Sequence, residues 1–397
     1  MDGSFSRNPL STSLPLSRAI AEALADAGVE LATHVPGFGA IQTFDAFCDF
    51  TKKSFATSFH EEAAYGVAHG AAVAGMRSAV IIKSHGLAKA MNAVMDSLSA
   101  GVTAGLVILV FEDPSGSHSD NIMDVQPLIK GAGLPYRIGD ASTAYEDVVA
   151  SIEESEHLQL PCAIIFNADD IDEMSTFEPR KLPPPPPYQR DIMQRLVVPL
   201  FAEYQREVLF EKTSDQDWKQ VPRPPLPLIP DGLPPDYQRA IAPYLPLFES
   251  FRDIPHDFVT GDAGVSTLSA LPPYDIVHAA TYMGGSVPLA IGASLAGFKD
   301  VWAFTGDFSF IAAGHLSLLE CVLRKTSLKV IVFVNDKAQT TGGQLIPEGM
   351  LARVVGGYQS SILRLENPHD PELTRKVLLE ASQSKGLRIV LADFTNL

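Results

Sequence analysis

Cysteine is scarce. The 397 residues hold three, Cys48, Cys162 and Cys321, far apart and without a CxxC pair. That excludes a Cys-ligated zinc or iron–sulfur site within the chain and argues against a disulfide framework. Positive charge is short as well. Thirty Lys and Arg face 47 Asp and Glu, leaving a net charge of −17. A surface of that sign repels phosphate backbones and anionic membranes, so neither nucleic acid nor membrane is an expected partner. No apolar run reaches the roughly 18 residues that a membrane-spanning helix needs. The opening MDGSFSRNPLSTSLPLSRAI has no continuous apolar stretch of the secretory type, and the expected compartment is the cytoplasm.

What the chain has is alternation. Its length suits two domains of about 150–200 residues. In the first part, SAVIIKSHG (78–86), AGLVILVFED (104–113) and PCAIIFNADD (161–170) read as strands buried on both faces. SRAIAEALADAG (17–28) and EEAAYGVAHGAAVAG (61–75) read as helices between them. Strands alternating with helices imply an α/β fold with a doubly wound parallel sheet. Two proline-rich stretches follow, PRKLPPPPPYQR (179–190) and VPRPPLPLIPDGLPPD (221–236), and they are expected to form a stiff extended connector. The segment 191–212 between them is expected to be one helix. From 237 the alternation resumes with DFVTGDAG (257–264), KDVWAFTGD (299–307), SLKVIVFVND (327–336) and GLRIVLADF (386–394). The division is therefore 1–175, 176–236 and 237–397.

Asp307 and Asn335 close two of these strands and lie one βαβ unit apart. Adjacent parallel strands bring such residues to one crevice at the carboxyl edge, where α/β sheets bind ligands. A carboxylate and an amide beside main-chain carbonyls suit Mg²⁺, a hard ion that takes one or two carboxylates and completes its shell with phosphate oxygens and water. A helix starting near Ser309 turns its free N–H groups to the same place, and Gly284 and Gly285 allow a second close approach. The pattern predicts a metal–diphosphate site.

TGDFSF…VNDKAQTTGGQ resembles the cofactor motif of thiamine-diphosphate enzymes, in which GD(G) is followed at a set distance by an asparagine pair. Phe308 stands where the motif has glycine, and Asn335 is followed by Asp336. VTGDAGVSTLSALPPYDIVHAATYMGGSV, NDKAQTTGGQ, HVPGFGAIQTFDAF (34–47) and GLVILVFEDPSGSHSDNIMD (105–124) resemble the α subunit of indolepyruvate ferredoxin oxidoreductase, and KSHGLAKAMNAVMDSL (83–98) is closer to phosphonopyruvate and sulfopyruvate decarboxylases. The resemblance implies two thiamine-diphosphate-binding domains, of pyrimidine and diphosphate type. It implies Asp307, Asn335 and the main chain of Lys337 as Mg²⁺ ligands. Gly37, Gly261, Asp262, Met283, Gly284, Gly285, Gly306, Phe308 and Ser309 are then further cofactor contacts.

Thiamine chemistry also needs a carboxyl group against the aminopyrimidine ring, kept protonated by burial so that it donates a hydrogen bond. FATSFHEEAAYGVAHGAAVAG (55–75) resembles the family segment that supplies it, and aligning Gly70-Ala71 selects Glu61. Glu62 is expected only to favour a helix start, and His69 to pack. His85 and His118 are expected at the crevice mouth, either as ordinary surface histidines or holding a substrate carboxylate and shuttling a proton.

The ferredoxin-linked relatives carry a CPGCP-type segment where this chain has LIPDGLPPD (228–236), and a Cys-rich cluster domain that these 397 residues lack. The expected reaction is therefore non-oxidative decarboxylation of a small-molecule 2-oxo acid to an aldehyde or acyloin-type product. Two alternatives stand beside it: an oxidoreductase subunit with electron-transfer partners on other chains, and a non-catalytic cofactor-binding subunit. The family also implies a homodimer or homotetramer with the active site between subunits.

Overall fold

The Val- and Ile-rich runs become two separate parallel sheets. The computed structural model describes residues 11–214 and 216–395. The first sheet is built from β2 (Leu31–His34), β3 (Ser78–Lys83), β4 (Leu106–Glu112), β5 (Tyr136–Ile138) and β6 (Cys162–Asn167), in the order β2-β3-β4-β6-β5. A short antiparallel ribbon of β1 (Thr12–Pro15) and β7 (Met174–Phe177) stands beside it. The second sheet holds β8 (Phe258–Gly261), β9 (Ala279–Ala280), β10 (Val301–Gly306), β11 (Leu328–Val334), β12 (Ile362–Leu365) and β13 (Arg388–Asp393), in the order β12-β13-β11-β10-β8-β9.

Both sheets are covered on both faces. Along β4, Val107, Leu109 and Phe111 enter one apolar cluster while Leu106, Ile108 and Val110 enter another. Along β10, Trp302 and Phe304 face one side and Val301 and Ala303 the other. That period-two split of an apolar run is what a strand buried between two helical layers produces.

The halves meet through two helices, Glu61–Val73 and Ser286–Leu295. Their backbones touch where neither has a side chain. A Cβ on Gly70 would lie 2.2 Å from the Leu289 carbonyl oxygen, and one on Gly292 would lie 2.2 Å from that of Val67. The small-residue content of both helices therefore serves this contact.

The connector departs from expectation in one respect. Segment 191–212 is not one helix: Ile192–Arg195 ends before an extended stretch, a 3₁₀ turn covers Pro199–Phe201, and Ala202–Thr213 is the longer helix. Pro199 cannot donate to the preceding turn and forces Val198 out of the helical region. The freed Val197 N–H bonds the Ala280 oxygen at the end of β9 instead. The proline run at 183–187 has no regular secondary structure. No helix among the described residues is long and apolar enough to cross a membrane.

Candidate active site

In the second half, register sets the site. Gly306 pairs with Phe333 in the β10–β11 ladder, so Asp307 and Asn335 leave the sheet side by side at its carboxyl edge. Asp307 is 1% exposed. Its Oδ2 accepts the main-chain N–H of Asn335 at 2.8 Å and of Asp336 at 2.6 Å, and its Oδ1 accepts that of Phe308 at 2.8 Å. Burial raises its pKa, and these N–H groups oppose the rise. Asp336 sits at φ +54°, a left-handed position that Asn and Asp tolerate best, which explains how aspartate replaces the motif's second asparagine.

Asn335 is oriented by its neighbours. Its Nδ2 donates to the Tyr244 hydroxyl at 2.9 Å and to Gln339 Oε1 at 2.8 Å, while Oδ1 accepts the Lys337 N–H at 3.2 Å. The Tyr244 hydroxyl in turn donates to Gln339 Oε1 at 2.7 Å. These residues line a cleft of about 620 Å³ together with Met283, Gly306, Phe308, Ser309 and Gly264. A Cβ on Gly306 or Gly264 would meet no atom within 4 Å, so bare main chain faces open space there. Phe308 is half-exposed at this cleft, and only its side chain departs from the motif, since its N–H still serves Asp307. The helix it belongs to is short, Asp307–Ala312, and breaks at Ala313.

Behind the cleft, the fully buried Asp262 organises the turn. Its Oδ2 accepts the Thr305 hydroxyl at 2.6 Å and the Gly284 N–H at 3.0 Å; Oδ1 has no partner. Burial drives its pKa up to about 7 against those bonds. Gly284 has φ +87°, and a Cβ there would lie 2.5 Å from the Gly314 nitrogen, so only glycine fits. Gly285 caps the Ser286–Leu295 helix, and Gly261 ends β8.

The donor set fits a Mg²⁺–diphosphate group. It offers one buried carboxylate, one oriented amide and the main-chain oxygen of Lys337, with bare glycine backbone opposite. A carboxylate-poor, all-oxygen set leaves coordination positions for phosphate and water.

In the first half, Glu61 opens the helix Glu61–Val73 and lines a different cleft, of about 1080 Å³, with Gly37, Phe38, Lys83, His85, Gly86, His118 and Asn121. A Cβ on Gly86 would come within 3.0 Å of Glu61 Cγ, so glycine makes room for the carboxylate. Lys89 Nζ lies 2.9 Å from Glu61 Oε2 as an ion pair, yet off the hydrogen-bond direction, so this buried oxygen has no hydrogen-bond partner. Glu62 turns away. Its Oε2 accepts from Asn92 at 3.4 Å, and its pKa is raised by burial first.

His85 Nε2 faces Asn121 Oδ1, and the exposed His118 ring stacks on Phe38 at 3.6 Å. His85 lies in the first turn of the Ser84–Ala100 helix, not on a loop, whereas Lys83 fixes the His118 loop, with Nζ donating to the His118 oxygen at 2.7 Å and to Ser119 Oγ at 2.5 Å. His69 is buried against the Gly101 oxygen at 2.9 Å, and burial lowers its pKa to about 4. Within one chain, then, Glu61, Gly37, His85 and His118 gather at one cleft. Met283, Gly306, Asp307, Phe308, Ser309, Asn335 and Lys337 gather at the other, and among the described residues none lines both. The sequence missed Lys83 and Tyr244. Lys83 stood inside the quoted KSHG segment, whereas no spacing links Tyr244 to Asn335, 91 residues away.

Comparison with known proteins matches both halves. Residues 15–129 match the thiamine pyrophosphate enzyme N-terminal TPP-binding domain, and residues 262–374 match the C-terminal TPP-binding domain. Indolepyruvate oxidoreductase subunit IorA of Methanothermobacter thermautotrophicus is 31% identical over 149 residues, covering 36% of this chain and 24% of that protein. Its Methanothermobacter marburgensis counterpart is 27% identical over 204 residues, covering 49% of this chain and 33% of the relative. The matches thus span a third or less of those relatives' length. Among solved structures, the thiamine diphosphate-dependent 4-hydroxybenzoylformate decarboxylase of Rhodococcus jostii superposes with a TM-score of 0.67 at 14% identity, covering 95% of this chain and 98% of that one. Benzoylformate decarboxylase of Polynucleobacter necessarius gives a TM-score of 0.64 at 12% identity, covering 97% and 99%. At such identities the likeness is one of fold. With both binding domains matched over more than half of its length, the chain belongs to the thiamine pyrophosphate enzymes.

Proposed function

We propose that the protein catalyses the thiamine-diphosphate- and Mg²⁺-dependent, non-oxidative decarboxylation of a 2-oxo acid, releasing an aldehyde or an acyloin-type product. The observation that carries the reading is the pair of complementary clefts, one built around Asp307 and Asn335 and the other around Glu61. In this reading Asp307, Asn335 and the Lys337 oxygen hold the metal. Gly261, Asp262, Met283, Gly284, Gly285, Gly306, Phe308 and Ser309 shape the diphosphate pocket, and Gly37 and Glu61 take the pyrimidine end. When bound, thiamine diphosphate supplies a heterocyclic electron sink that lets CO₂ leave.

The chain's own groups do the rest. Glu61, whose Oε2 has no hydrogen-bond partner and is ion-paired with Lys89, is the carboxyl group set against the pyrimidine ring. Asn121 sets the His85 ring through Nε2, and Lys83 sets the loop that carries His118. The two histidines hold the substrate carboxylate and return a proton to the carbon that lost CO₂.

As the resemblance to related enzymes implies, a complete site takes Glu61 from one copy and Asp307 from another, and the separate lining of the two clefts within one chain suits this reading. An apolar patch supports such a homodimer. Phe59 is 67% exposed, next to Ser58, whose hydroxyl bonds Glu320 on the helix that also exposes Leu319, Val322 and Leu323. The likeness to subunits named indolepyruvate oxidoreductase favours a second reading, oxidation with electron acceptors on other chains. Incubation of the purified protein with a panel of 2-oxo acids, cofactor and Mg²⁺ under argon separates the two. CO₂ and an aldehyde or acyloin without added oxidant support the first reading; turnover only with a one-electron acceptor overturns it.

A further inference from the structure

Away from both clefts, the connector buries an unusual amine. Lys212, near the end of the Ala202–Thr213 helix, is 5% exposed, yet it lines an open cleft of about 1090 Å³ with Lys130, Tyr136, Glu154 and His157. Its one hydrogen bond is long, 3.4 Å to the Gln159 main-chain oxygen, and it forms no ion pair among the described residues. The Trp218 ring lies 4.5 Å from Nζ.

A second cation shares the spot. Arg195 Nη1 and Lys212 Nζ lie 2.9 Å and 3.7 Å from the place that a Cβ on Gly101 would take, so the two are neighbours. Arg195 is itself buried. Its Nη atoms donate to the Ala100 and Val102 oxygens at 2.8 Å and 2.9 Å, but its Nε–H is buried without a partner. Among the described residues, the other charged groups around Lys212 are Asp191, which pairs with Arg223, Lys219 beside Trp218, and Lys130, Glu154 and His157 across the cleft. Burial first, and Arg195 second, hold the Lys212 amine down to about 7, with Asp191 opposing. An amine desolvated and placed beside another cation is a nucleophile at neutral pH.

We propose that Lys212 is a carbamylation site, whose free amine takes up CO₂ to form a carbamate that pairs with Arg195. The nitrogen lone pair forms the N–C bond, one C–O π pair moves onto oxygen, and the nitrogen releases a proton to water. The balance is Lys–NH₂ + CO₂ → Lys–NH–COO⁻ + H⁺, with no change of oxidation state. Electrostatics favour the product: an anion then stands beside the buried Arg195 cation, where a second cationic group stood before. The reagent also suits the site, because CO₂ is small and uncharged and enters without the desolvation that a charged carbonyl compound requires. The carbamate ties the Ala202–Thr213 helix to Arg195, which bonds the Ala100 and Val102 oxygens on either side of Gly101 in the first half. The site does not depend on the proposed decarboxylation, although that reaction releases its reagent.

The full-length protein is incubated with ¹³C-bicarbonate at mildly alkaline pH, trapped with triethyloxonium ion, digested and analysed by mass spectrometry. The Lys212 peptide is expected to carry the label several-fold above any exposed lysine. Bicarbonate is expected to raise the melting temperature of the wild type and not of Lys212→Met. An unlabelled Lys212, labelling no greater than at surface lysines, or an equal melting shift in Lys212→Met overturns the proposal. The labelling arm uses only the wild type, so the test survives a variant that fails to fold.

Discussion

Replacing Asp262 by asparagine tests the electrostatics of the diphosphate turn. The carboxyl is fully buried and accepts through Oδ2 from Thr305 at 2.6 Å, Gly284 at 3.0 Å and Ser286 at 3.5 Å, and Oδ1 has nothing. Among the described residues no Lys, Arg or His forms an ion pair with it. Its pKa rises from the ordinary 3.8 to about 7. Three units correspond to about 4 kcal/mol at ~1.36 kcal/mol per unit. The sign follows from proton binding. Above 3.8 the unfolded chain gives up this proton while the folded protein keeps it, so this contribution is complete below 3.8 and is lost as pH rises through about 7. Asp262→Asn keeps an oxygen for the three donors and cannot ionise. Urea unfolding of both proteins without cofactor, followed by Trp fluorescence, gives the difference in stability at each pH. The variant is expected to gain on the wild type by up to about 4 kcal/mol between acid and mildly alkaline pH. A difference that stays constant with pH refutes the assignment.

Two other substitutions probe the frame around the clefts. Arg324 and Glu320 form a buried ion pair, 2.8 Å between Nη2 and Oε2, that also holds Ser58 two residues before His60. Arg324→Met leaves the Glu320 charge uncompensated and is expected to cost about 3–5 kcal/mol in denaturant unfolding, most of it recovered by adding Glu320→Gln; strictly additive effects contradict the pairing. Tyr244→Phe removes the hydroxyl that orients Asn335, and titration calorimetry with thiamine diphosphate and Mg²⁺ is expected to show affinity lowered about tenfold. Unchanged affinity means that Tyr244 does not set the amide.

Much of this site was legible because each half is a simple α/β repeat. In such a sheet the residue after an apolar strand stands at the carboxyl edge, so spacing alone paired Asp307 with Asn335. Glu61 was singled out by a family resemblance aligned on Gly70-Ala71 rather than by spacing, and Gly70 serves the contact with the second half at Leu289. Tyr244, Lys83 and the Ser58–Glu320–Arg324 network were not legible. They are tertiary meetings between elements far apart in sequence, and no local periodicity encodes them. The connector was misjudged for a related reason: its composition allowed one helix from 191 to 212, but Pro199 and the main-chain bond from Val197 to Ala280 favour an extended break.

The central claim is that one catalytic centre takes Glu61 from one copy of the chain and Asp307 and Asn335 from another. Complementation tests it directly. Glu61→Gln and Asp307→Ala are each expected to be inactive in CO₂ release, and each is unfolded and refolded alone and as an equimolar mixture. Random pairing makes half of the dimers mixed, each with one intact site, so the mixture is expected to regain about a quarter of wild-type activity. A mixture as inactive as its two components, with mixed dimers shown to be present by native mass spectrometry, contradicts the account.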